Sequence, residues 1–158
     1  MSKSDHRANE SVFLELAQRA LALLPTTQQV DWAETAAAVW LPGRWRGQLH
    51  SVESIATTGL GDLLHIDRQK QQLVDNTRQF VAGFPANNAL LWGARGTGKS
   101  SLIAALVQEF FNHGLRVVEI GKDALADLNT VVQQLASQPY KFILFCDDLS
   151  FSHDDQHY

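Results

Sequence analysis

The sequence predicts an α/β fold built on a parallel sheet. Two observations carry this. Three short apolar runs, residues 88–92, 115–120 and 142–146, alternate with segments of helical periodicity. The last run, Phe142-Ile143-Leu144-Phe145-Cys146, is apolar at every position, as a strand buried on both faces must be. Strand, helix, strand, helix, strand in that order is the signature of parallel pairing, because each crossover needs a helix to return the chain.

The elements follow in order. Residues 1–10 are polar. Phe13, Leu16, Ala17, Ala20, Leu21 and Leu24 recur at three- and four-residue spacing and predict a helix that Pro25 stops. Residues 31–40, rich in alanine and closed by Pro42, predict a second helix. The stretch 43–62 has Gly, Ser and Thr but no period, and reads as a connection. The expected organisation is therefore a helical segment with linker over 1–60 and the main α/β unit over 61–158. Asp67 is a candidate cap for a helix ending at Gly83, with Leu73, Val74, Thr77, Phe80 and Val81 on one face. Residues 98–113 form a strongly periodic helix through Leu102, Ile103, Leu106, Val107, Phe110 and Phe111, with Gly114 suited to its end. Residues 123–137 predict a last helix with Leu125, Leu128, Val132 and Leu135 inward.

Composition narrows the class. The 158 residues carry a net charge of −4 and are 45% hydrophobic, which suits one globular domain and argues against wholesale disorder. A mildly acidic chain is a poor general coat for nucleic acid. The longest apolar run is too short to cross a bilayer and the N-terminus has no apolar signal core. Cys146 is alone, which fits a reducing compartment, and a cytoplasmic location is expected.

The chemistry is concentrated between the first strand and its helix. Gly93, Ala94, Arg95, Gly96, Thr97, Gly98, Lys99 and Ser100 fit G-x-x-x-x-G-K-[ST] at every fixed position, and Ser101 follows. Phosphate oxygens must be met by several backbone N–H groups at once, so the chain must curl without Cβ clashes. The helix that follows points its positive end at the phosphates. Lys99 is placed to reach the β- and γ-phosphates, and Ser100 to put a hydroxyl on Mg²⁺. At the end of the third strand, Asp147 and Asp148 would reach the rim of the sheet. Asp147 is the candidate magnesium ligand and Asp148 the candidate for polarising the attacking water. Aspartate is one methylene shorter than glutamate, so the reach of Asp148 is reduced.

Other features have plainer readings. Arg44-Trp45-Arg46 combines charge and an aromatic ring, but a packed connection accounts for it better than nucleic-acid stacking. His153 and His157 lack a third metal ligand. Trp92 and Cys146 read as packing residues. Glu119, at the end of the second strand, is where dinucleotide folds place a ribose-binding acid, but the loop is not G-x-G-x-x-G.

Ile66-Asp67 ahead of a helix, NNALLWGARGTGKSSLIAAL and FILFCDDLSF together resemble the AAA+ branch of the P-loop NTPases. They are more similar still to an uncharacterised bacterial ATPase family, a domain-of-unknown-function group. The resemblance implies a P-loop parallel sheet of which about three strands lie in this chain, ATP and Mg²⁺ as ligands, and Ile66 near the adenine. It implies Lys99 and Asp148 as catalytic residues. It implies a homo-oligomeric ring that remodels a protein or nucleic-acid partner. It also implies a further strand between the loop-bearing strand and the acidic strand, so the chain is expected to be the N-terminal part of a longer ATPase. A nucleotide-dependent switch with little or no hydrolysis, and an inactive fragment, stand as alternatives.

Overall fold

The computed structural model describes residues 29–147, apart from residues 45, 56 and 95. The expected helix through Phe13 to Leu24 lies outside these residues, as do Trp45, Arg95, Asp148, His153 and His157.

The chain forms an α/β structure with a four-stranded sheet among the described residues. The strands are β1 (Ala37–Leu41), β2 (Gln48–Ser51), β3 (Leu115–Ile120) and β4 (Lys141–Phe145). The helices are α1 (Asp67–Val81), α2 (Lys99–Phe110) and α3 (Leu128–Leu135). The sheet order is β2-β1-β3-β4. β1 and β4 both run parallel to β3, and β2 closes the edge as an antiparallel hairpin partner of β1. The parallel expectation holds for β3 and β4.

β1 corrects the helix expected over 31–40. Asp31 opens a turn, its carboxylate accepting from the Ala33 N–H at 3.0 Å and its carbonyl from Thr35 N–H at 2.8 Å. The chain then extends. Alanine is the strongest helix former, but propensity yields to tertiary packing, and here both faces of a strand have partners ready. Ala37 enters the core beside Val117, while Ala38 and Trp40 enter the opposite core beside Val118 and Ile120. The connection expected over 43–62 likewise contains a strand, β2, whose polar Gln48-Leu49-His50-Ser51 suits a sheet edge.

Helices cover both faces. Val74 of α1 and Ile103, Leu106, Val107 and Phe110 of α2 pack with Leu115 and Val117. Val131 and Leu135 of α3 pack with Trp32, Trp40, Val118 and Ile120. β3 is central, which is why five of its six residues are buried.

Three helix expectations are adjusted. Ile66, not Asp67, is the residue ahead of α1; Asp67 opens the helix and pairs with Lys70 at 3.2 Å. α2 stops at Phe110 and passes through a short 3₁₀ turn to Gly114, which has φ +85°. The run 123–137 begins as a 3₁₀ helix, Lys122–Asp127, before α3. A 3₁₀ turn advances about 120° per residue and an α-turn about 100°, so an apolar stripe counted from Asp123 drifts out of phase. Val131 is buried instead, and Leu125, Leu128 and Val132 are exposed.

The segment 88–92, expected as a strand, forms no strand and has no ladder partner among the described residues. Leu90 and Trp92 are 75% and 87% exposed. The packing role expected for Trp92 is therefore not observed. Among the described residues β4 pairs only with β3, and residues 142–146 are half-buried where full burial was expected. An open groove of about 1360 Å³ is lined by this segment, including Leu90, Leu91 and Trp92, and by β4, including Phe142, Ile143 and Phe145. Side chains from both faces of the sheet line it, so it opens on the edge of β4 that is unpaired among the described residues.

Candidate functional site

The parallel strands β1, β3 and β4 deliver their C-terminal ends to one rim. In open α/β sheets this is the rim where ligands bind, because helix N-termini and connecting loops converge there. The glycine-rich loop and the acidic strand end meet at this place.

Local sequence explains the loop. Gly98 stands ahead of α2 with φ +82°, a conformation a side chain adopts only with strain. Its carbonyl accepts the first helical bond, from Leu102 N–H at 2.9 Å. Gly96 has φ +81°, so the chain turns sharply between Gly93 and the helix. Thr97 Oγ1 donates to the Ala94 carbonyl at 2.8 Å and closes the turn from within. Lys99 folds back over it: Nζ donates to the Gly93 and Ala94 carbonyls at 3.1 and 3.0 Å. The ammonium thus lies against the loop, next to the positive end of a twelve-residue helix. Gly93, Ala94, Gly96 and Thr97 are exposed, and Gly98, Lys99 and Ser101 half-buried, so the loop is open to a ligand.

Asp147 follows β4 by two residues. Ser100 Oγ donates to Asp147 Oδ2 at 2.8 Å, and both residues are exposed. The chemistry of this pair fits a magnesium ion: two hard oxygen donors converge, and Mg²⁺ takes few protein ligands while keeping several waters. Among the described residues no group of three or more His, Cys, Asp or Glu could hold a metal by itself.

The other expected site residues are placed less directly. Ile66 is half-buried at the start of α1, behind His65 with φ +64°, and is not part of the groove lining. Lys70 fixes that region by donating to the Leu60 and Leu63 carbonyls, both at 3.0 Å. Cys146 is half-buried beside the rim. Burial raises its thiol pKa, and the negative charges of Asp147 and then Glu119 raise it further.

Two residues of structural weight escaped the sequence reading. Arg116, on β3, is 3% exposed and donates to the carbonyls of Trp32, Phe111 and Leu115 at 2.7, 2.9 and 2.8 Å. Its guanidinium lies over the rings of Phe111 and Tyr140. Trp40 donates its indole N–H to Asp127 at 2.9 Å, tying β1 to the start of α3. Neither has a signal in spacing alone, since Arg116 reaches Trp32 across 84 positions and Trp40 reaches Asp127 across 87.

Fold and site together define an α/β protein with an exposed glycine-rich loop, a helix N-terminus and a carboxylate gathered at one sheet rim. The chain matches the family described as "Protein of unknown function (DUF815)" over residues 33–158, and it belongs to that family. No curated protein and no solved structure matches it. No helix among the described residues is long and apolar enough to cross a membrane.

Proposed function

We propose that the chain binds ATP with Mg²⁺ through residues 93–101 and belongs to an AAA+-type P-loop ATPase. The observation that carries this is the bond between Ser100 and Asp147. The motif asks for a hydroxyl and a carboxylate that serve one magnesium ion, and these two residues lie 47 positions apart in sequence.

The roles follow from the chemistry of each group. Backbone N–H groups of the loop and the start of α2 receive phosphate oxygens. Lys99 leaves the loop carbonyls for the β- and γ-phosphates, a stronger acceptor for an ammonium. Bound magnesium would supply charge neutralisation on the phosphates. Asp148 orients the attacking water, and Ile66 borders the adenine. A ring that remodels a protein or nucleic-acid partner, acting in the cytoplasm, completes the reading. The edge of β4, unpaired among the described residues, and the groove beside it support a further strand at that position, as the AAA+ likeness implies.

A second reading is a nucleotide-dependent switch that hydrolyses ATP slowly or not at all. The shorter carboxylate at Asp148 favours it. Phosphate release under saturating ATP and magnesium, with and without Asp148→Asn, separates the two. Turnover abolished by the substitution supports the ATPase. ATP binding without turnover in either protein supports the switch, and absence of ATP binding overturns both.

A further inference from the structure

Glu119 is the one exposed residue of β3, whose other five positions are buried. It pairs in register with Phe145 of β4, two residues before Asp147. Alternation along β3 puts Glu119 on the side of Val117, which packs against α2, and Phe145 packs against the same cluster. Asp147 turns to that side too, since it bonds Ser100 at the start of α2. Strand spacing and rise put the Glu119 and Asp147 α-carbons about 8 Å apart, a gap that two carboxylates and one water can span. The Glu119 carboxylate has no hydrogen-bond or ion-pair partner among the described residues. A central strand that buries every other residue thus ends in an unpartnered acid facing the carboxylate of the candidate site.

We infer that Glu119 is a positioning residue, which accepts hydrogen bonds from water on a magnesium ion held by Ser100 and Asp147. This rests on the nucleotide reading above. Mg²⁺ retains several waters, and each has protons that need acceptors. Outer acceptors of this kind orient a metal's ligands and raise its affinity. The role differs from the ribose contact that the position suggests, because it faces the metal and not the sugar.

The test is ATP affinity of wild type and Glu119→Gln, each titrated without magnesium and with increasing magnesium. The proposal expects the magnesium concentration needed for tight ATP binding to rise by about tenfold in Glu119→Gln. It expects ATP affinity in chelator to be equal or tighter, because a negative charge near the phosphates is gone. Glu119→Asp, which keeps the charge, should fall between the two. Unchanged magnesium dependence in Glu119→Gln overturns the proposal alone. An equal loss with and without magnesium also overturns it, since the residue would then act through the loop or the fold. Absence of ATP binding by wild type overturns the nucleotide reading and this role with it.

Discussion

Ser100 Oγ donates a 2.8 Å hydrogen bond to Asp147 Oδ2, joining the first turn of α2 to the second residue beyond β4. The two elements meet because α2 packs on the sheet through Ile103, Leu106 and Val107, with its N-terminus at the rim. Ser100→Ala and Asp147→Asn should each weaken magnesium-dependent ATP binding by at least roughly tenfold, the scale seen when a metal site loses one supporting group. Binding in chelator should change little. Isothermal titration with and without magnesium reads both quantities.

Arg116 should be the most sensitive charged position for stability. Its three bonds go to the Trp32, Phe111 and Leu115 carbonyls, and its planar group sits 3.8 Å from the Phe111 ring centroid and 4.3 Å from that of Tyr140. Burial lowers its pKa, with Tyr140 acting in the opposite direction, yet guanidinium remains a cation throughout the working range. Lysine has neither the planar face nor the fork of donors. Arg116→Lys should lower unfolding free energy by about 2–4 kcal/mol, measured by urea denaturation.

The tryptophans should separate cleanly. Trp40 is 1% exposed and its indole is hydrogen-bonded to Asp127, whereas Trp92 is 87% exposed beside the groove. Trp40→Ala should cost about 3–5 kcal/mol of stability. Trp92→Ala should stay within about 0.5 kcal/mol, the range of an ordinary surface substitution. Thermal unfolding of both variants checks the contrast.

The same residues explain what the sequence could and could not reveal. The loop was legible because its demands are local: glycines at positive φ, a lysine, a hydroxyl and a helix start lie within eight residues. β3 and the buried faces of α1 and α2 were legible because their apolar periodicity is strong. β1 was not, since Ala37-Ala38-Val39-Trp40 has no helical or strand period decisive by itself, and its conformation is set by Val117, Val118 and Ile120, some 80 residues away. Residues 88–92 failed in the opposite direction. Their composition suits a strand, but a strand needs a partner, and none pairs with them among the described residues. The outward placement of Leu125, Leu128 and Val132 depended on a change of helical pitch at Asp127 that composition does not announce.

The central claim is nucleotide binding at the loop, and Lys99 tests it most directly. Its ammonium is held by the Gly93 and Ala94 carbonyls and is not needed to fill the core, so its removal should leave the fold intact. A charge-assisted contact of this kind contributes about 1.5–3 kcal/mol, or about tenfold to a hundredfold in affinity. Titration of ATP with magnesium into wild type and Lys99→Ala should give saturable binding in the first and binding at least about tenfold weaker in the second. Equal affinity in the two proteins would contradict the account.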